Sequence, residues 1–137
     1  ELDGVHLDEL PAGGVEQLKT RFERKILVGM TVGNDLSRLL LPEAAGLDYI
    51  SFCSVFPSRS AGACEIVRPD TIQRAREITN LPVFLSGGIN LSTLPQLSEL
   101  PFDGLAIISG VMGVERPGEA VSELVEAIKI IKKNDFQ

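Results

Sequence analysis

The chain has 137 residues, 44% of them apolar and 23% charged, with a net charge of −6 and a pI near 4.8. That size suits one hydrophobic core, and no stretch approaches the roughly 18 uninterrupted apolar residues of a membrane span. Lys and Arg are scattered except for Lys129, Lys132 and Lys133, so the chain offers no basic stripe to a nucleic-acid backbone.

Cys53 and Cys64 stand outside any CxxC or Cys/His pattern, which suits structural roles in a reducing, cytoplasmic setting. The chain opens at Glu1 with neither an initiator Met nor an export segment and reads as an excised or partial piece.

In chain order, short apolar runs alternate with segments of helical period, as in repeated βα units with a parallel sheet. The expected strands are Gly4 to Leu7, Ile26 to Val32, Tyr49 to Phe56, Val83 to Ile89 and Gly104 to Val111. Most are continuous apolar runs, which implies a sheet covered on both faces. A helix is expected from Gly14 to Arg24 on the spacing of Val15, Leu18 and Phe22. Another is expected from Asn34 to Ala45, with Asn34 as its N-cap and Gly46 as its stop. Pro69 suits a first helical turn, with Ile72, Ala75 and Ile78 forming the buried stripe. Pro95 interrupts the segment after Asn90. A last helix spans Pro117 to about Lys133, with acids early and lysines late along its dipole. The five units form one domain over residues 1–137, an α/β fold of (β/α)8 TIM-barrel type in which this chain supplies five units. Closing such a barrel takes about 200 residues or more. The barrel is therefore incomplete, and an upstream segment or a second copy in a homo-oligomer is expected to complete it.

The most specific local pattern is Ser86-Gly87-Gly88-Ile89-Asn90 at one strand end, followed by Ile107-Ile108-Ser109-Gly110 at the next. Paired glycines let backbone approach an anion closely, and peptide N–H groups near Ser109 can donate to it, so these turns are read as a phosphate site. Tight strand-to-helix turns are the plainer explanation of the same glycines. In Cys53-Ser54-Val55-Phe56-Pro57-Ser58-Arg59-Ser60-Ala61-Gly62, two hydroxyls and a guanidinium follow a strand, as an anion-facing loop would require. Surface loops rich in Ser and Gly also exist without function. Asp8 and Glu9 lie just past the first strand, where carboxylates could hold Mg²⁺ or simply face a helix N-terminus. The single His6 is read as a structural strand residue.

As an ordered set, Asp3-Gly4-Val5-His6-Leu7, Asp48-Tyr49 with Val55-Phe56-Pro57, Ser86-Gly87-Gly88-Ile89 and Asp103 to Ser109 resemble the thiamine-phosphate synthase family. The match runs from about Leu2 to Lys132 and corresponds to the latter five of eight units. The resemblance implies a transferase that joins hydroxymethylpyrimidine diphosphate to thiazole phosphate and releases pyrophosphate with Mg²⁺, acting on small phosphorylated substrates. It implies that Gly88, Ile108 and Ser109, with Gly87 beside them, hold the thiazole phosphate, and that Thr31, Ser58 and Ser60 occupy family hydroxyl positions. Ser58, Arg59 and Ser60 then face the diphosphate, and Asp8 or Glu9 matches a metal-binding aspartate. Three departures stand out. The Gly-Gln after Val-His-Leu is absent, Ala61 replaces a loop lysine, and Ser54 stands where related thiazole tautomerases carry a His. The first two favour a non-catalytic or regulatory phosphate-ligand-binding module as the alternative, and the third disfavours a tautomerase.

Overall fold

In the computed structural model, which describes residues 3–57 and 65–133, five strands make one parallel sheet in the order β1-β2-β3-β4-β5. The strands are β1 (Gly4–Leu7), β2 (Leu27–Val32), β3 (Tyr49–Phe52), β4 (Val83–Ser86) and β5 (Gly104–Ala106). The α-helices are α1 (Gly14–Lys19), α2 (Pro69–Ile78), α3 (Ser109–Met112) and α4 (Pro117–Lys133). Each strand pairs with the next in sequence, β1 and β5 do not pair, and the sheet is an open arc.

Register divides the strands into two faces. Val28, Met30 and Val32 of β2 align with Ile50 and Phe52 of β3 and with Val83 and Leu85 of β4, all buried. Ile72 and Ala75 of α2, Leu124 and Ile131 of α4, and Leu94 and Leu97 belong to the same core. The opposite face is lined by His6, Thr31, Tyr49, Ser51, Phe84 and Ser86, all half-buried or exposed. The expectation that both faces are covered therefore holds only on the helix side among the described residues. Rings lean along the open face. Tyr49 lies so close over Gly29 that a Cβ there would come within 2.0 Å of the ring, and its ring stacks on His6 with centroids 5.5 Å apart.

The ends of the strands opposite the candidate site are stapled by aspartates. Asp48 receives the Val28 N–H at 2.7 Å and the Lys19 ammonium at 2.6 Å, while its own N–H donates to the Val28 carbonyl at 2.8 Å. Asp103 repeats the device one pair of strands later with Val83 at 2.7 Å and the guanidinium of Arg76. Burial pushes both carboxyls up, but the hydrogen bonds and neighbouring cations outweigh it and hold them below the usual aspartate range. Lys132 closes the last unit by donating to the Phe102 and Asp103 carbonyls at 3.2 Å from the far end of α4.

Several expected elements are shorter or different. The expected helix from Asn34 to Ala45 is two 3-10 turns, Ser37–Leu40 and Pro42–Ala44. Pro42 removes an amide from its middle, and Asp35 accepts the Ser37 N–H at 2.9 Å, which favours a local turn. β3 stops at Phe52 because Ser54 adopts φ +56, and β4 stops at Ser86 because Gly87 and Gly88 follow at φ +94 and +67. β5 ends at Ala106, and Ser109 already starts α3, so the expected strand from Gly104 to Val111 is strand only over its first three residues and helix over its last three. α1 ends at Lys19, where Thr20 and Arg21 close a turn onto the Gln17 and Leu18 carbonyls.

Candidate functional site

In a parallel sheet every strand points the same way, so the residues that follow each strand gather along one rim. Asp8 follows β1, Thr31 is the second-to-last residue of β2, Cys53 and Ser54 follow β3, Gly87 and Gly88 follow β4, and Ile108 and Ser109 follow β5. Ser58, Arg59 and Ser60 lie outside the described residues, as does Ala61.

The Gly87-Gly88 turn is shaped by its neighbour. A Cβ on Gly87 would stand 2.5 Å from the Ser54 nitrogen, and one on Gly88 would stand 2.7 Å from Phe56 Cβ. The chain after β3 runs alongside, with the Val55 and Phe56 N–H groups donating to the Ser86 and Gly87 carbonyls at 3.0 and 3.1 Å. Asn90 and Thr93 complete the turn: Thr93 Oγ1 donates to the Gly88 carbonyl at 3.0 Å, and Asn90 Oδ1 receives the Ser92 and Thr93 N–H groups. Gly110 packs against this turn, since a Cβ there would be 2.8 Å from the Ile89 carbonyl. The structure thus brings the two glycine-bearing loops into direct contact. Beside them an open groove of about 940 Å³ runs past Asn90, Ser92, Ser109 and Gly110 to the first turns of α4. The wall made by α4 and the two residues before it carries Glu115, Glu119 and Glu123, and its cation Arg116 is paired with Glu119 at 3.1 Å. Anion donors in this groove therefore belong to the loop side. Ile108 does not enter the core: its side chain is 71% exposed.

At the other end of the rim the carboxylates separate. Asp8 Oδ1 receives the Thr31 hydroxyl at 3.1 Å, and its backbone carbonyl receives Arg38 Nη1 at 3.3 Å. Glu9 is exposed and has no side-chain hydrogen bond among the described residues. Thr31 also bonds His6 Nε2 at 2.9 Å, and His6 Nδ1 meets the Tyr49 hydroxyl at 3.0 Å. Among the described residues no group of three or more His, Cys, Asp or Glu gathers into a metal cage. One or two carboxylates suffice for Mg²⁺ when phosphate oxygens and water supply the remaining ligands, and Asp8 fits that role.

Between these ends lies Ser54, 2% exposed, whose hydroxyl has no partner among the described residues. Asn34 is not a helix cap. Its side chain reaches across to α2, with Nδ2 donating to the Ile66 carbonyl at 3.0 Å and Oδ1 receiving the Arg68 N–H at 2.9 Å and the Thr71 hydroxyl at 3.1 Å. It thereby ties the rim to the returning end of the segment that carries Ser58, Arg59 and Ser60. Sequence reasoning missed Tyr49, Arg38 and this role of Asn34. Their partners are 43, 30 and 34 residues away and leave no local signal.

The family described as thiamine monophosphate synthase matches residues 1–111. A thiamine-phosphate synthase of Picrophilus torridus is 31% identical over 133 residues, covering 96% of this chain and 63% of the relative. One from Pyrococcus abyssi is 30% identical over 130 residues, covering 93% of this chain and 60% of the relative. The solved structure of thiamine phosphate pyrophosphorylase from Pyrococcus furiosus superimposes with a TM-score of 0.73 at 28% identity, over 94% of this chain and 60% of that one. The chain spans about three fifths of the length of the relatives it matches. With an open five-stranded arc of barrel type, its rim residues gathered at the strand ends, and a family match over most of its length, the chain belongs to the thiamine monophosphate synthase family.

Proposed function

We propose that the protein forms thiamine phosphate by joining hydroxymethylpyrimidine diphosphate to thiazole phosphate, with release of pyrophosphate. The observation that carries this reading is the close approach of Gly110 to Ile89 and Asn90, the residues that directly follow Gly87-Gly88, within a chain of this family. It supports a site in which one phosphate group receives hydrogen bonds from the backbone of both loops.

Each residue has a distinct task. Gly87 and Gly88 give the turn its positive φ and its close fit against Ser54 and Phe56, and Ile108 and Ser109 bring up the first amides of α3, which have no intrahelical acceptor. Ser58 and Ser60 supply hydroxyl donors, Thr31 commits its one hydroxyl proton to the Asp8 carboxylate, and Arg59 supplies a positive charge for the departing pyrophosphate. Asp8, already positioned by Thr31, is the better candidate of the two carboxylates for Mg²⁺, with Glu9 the weaker. When bound, the ion neutralises charge that grows on the pyrophosphate as it leaves. Binding of the thiazole phosphate at the glycine turns holds the nucleophile near the reacting carbon, so its approach is paid for in advance.

Ala61, in place of the family's loop lysine, favours a second reading, a phosphate-binding module without catalysis. The test is thiamine phosphate formation by the protein with and without Mg²⁺, beside Arg59→Ala. Under the synthase reading, product requires Mg²⁺, and Arg59→Ala lowers turnover by on the order of tenfold to a thousandfold with a smaller change in thiazole-phosphate affinity. Thiazole phosphate bound without product under any metal condition would instead establish the second reading.

A further inference from the structure

Three side chains on the open face of the sheet form a chain of hydrogen bonds that ends on Asp8. Tyr49 on β3 meets His6 Nδ1 at 3.0 Å, His6 Nε2 meets Thr31 Oγ1 at 2.9 Å, and Thr31 Oγ1 donates to Asp8 Oδ1 at 3.1 Å. The direction of this chain follows from proton counting. Thr31 has one hydroxyl proton, and the carboxylate, which can only accept, receives it. Thr31 must then accept from His6, so Nε2 carries a proton. In the neutral ring Nδ1 is left as the acceptor, and the Tyr49 hydroxyl donates to it. Every donor points toward Asp8, and each bond polarises the next.

We propose that Tyr49, His6 and Thr31 form a one-way hydrogen-bond relay that positions the Asp8 carboxylate, committing Oδ1 to Thr31 and leaving Oδ2 for a divalent cation. His6 and Tyr49 are thus positioning residues, and the inference rests on the Mg²⁺ reading of Asp8 given above. Two further features fit this role. Arg38 fixes the Asp8 backbone at its carbonyl, so side chain and main chain are held from different elements. Tyr49 is itself fixed by its stacking on His6 and by an edge-on contact with Phe84 at 5.3 Å, over a bare Gly29. Partners of metal-binding carboxylates and imidazoles orient the ligand in this way, and their loss costs on the order of tenfold or more in metal affinity.

The test measures Mn²⁺ as a stand-in for Mg²⁺, in the presence of inorganic pyrophosphate, by the loss of the free-ion electron paramagnetic resonance signal. His6→Ala is expected to weaken Mn²⁺ binding about tenfold. His6→Gln, which retains an N–H toward Thr31, is expected to recover most of that loss. Tyr49→Phe keeps the ring and removes only the hydroxyl, so it folds as the parent does and should weaken binding in the same direction by a smaller factor. An independent readout needs no metal: the chain has one histidine, so a ¹⁵N spectrum of its imidazole reports one tautomer. Protonation at Nε2 is expected in the parent, with the other tautomer appearing in Tyr49→Phe. Unchanged Mn²⁺ affinity in both His6→Ala and Tyr49→Phe, beside a clear loss in Asp8→Asn, would overturn the relay and leave the metal reading intact. An Asp8→Asn variant that binds Mn²⁺ as tightly as the parent would overturn the metal reading and the relay with it. A proton on Nδ1 rather than Nε2 in the parent would overturn the relay's direction directly.

Discussion

Replacing Gly87 by Ala should damage the rim by adding a single methyl group. At φ +94 a residue with a side chain is strained by about 1 to 3 kcal/mol. The added Cβ would also stand 2.5 Å from the Ser54 nitrogen and 2.6 Å from its Cα. Both are backbone atoms and cannot swing aside, so the segment after β3 must move. Movement there breaks the bonds from the Val55 and Phe56 N–H groups to the Ser86 and Gly87 carbonyls, each contributing about 1 kcal/mol. The total is roughly 3 to 5 kcal/mol, a large part of the 5 to 15 kcal/mol typical of a domain. Gly33→Ala is the matched control, because nothing stands within 4 Å of a Cβ at that position. It should change stability by less than about 1 kcal/mol. Urea denaturation followed by circular dichroism measures both. A Gly87→Ala midpoint close to that of Gly33→Ala, with an unchanged slope, would refute the close-approach account of this turn.

Other consequences can be measured in the same way. Asp103 has its pKa lowered on folding, so its contribution is fully present above the unfolded value of about 4 and is lost as pH falls through the lower folded value. Asp103→Asn should therefore be less stable than the parent at neutral pH and converge with it in acid, and parallel stability curves from pH 7 down to 3 would contradict this. Ile72→Ala removes a fully buried side chain from α2 and should cost about 2 to 5 kcal/mol in urea denaturation; a loss below 1 kcal/mol would mean the α2 interface is looser than described. Asn34→Ala removes three hydrogen bonds to Ile66, Arg68 and Thr71 and should speed limited proteolysis between Pro57 and Arg68, whereas an unchanged cleavage rate would deny Asn34 its anchoring role.

Much of the frame was legible because it follows from local pattern. The apolar runs located all five strands, and the stripe of Ile72 and Ala75 and that of Leu124 and Ile131 located the helices that cover them. Strand ends were overrun because Ser54, Gly87 and Gly88 look like strand continuation until their φ angles are known. The segment from Asn34 to Ala45 has helical spacing, yet the Asp35 side chain and Pro42 divide it into short turns. At the site, the glycine turns and Asp8 were visible as motifs, whereas the choice of Asp8 over Glu9 depended on Thr31 lying 23 residues away. His6 was read as a strand residue and is one, but its partners at Thr31 and Tyr49 come from neighbouring strands and depend on register.

The paired aspartate staples at Asp48 and Asp103 give the molecule a division of labour. They lock the entry ends of β2 with β3 and of β4 with β5, using side chains that take no part at the opposite rim. Changes along that rim, such as the shortened turn after Leu7, can accumulate without loosening the scaffold that carries them. A frame anchored at one end leaves the other free to diverge, so the chemistry of such a protein can drift faster than its architecture.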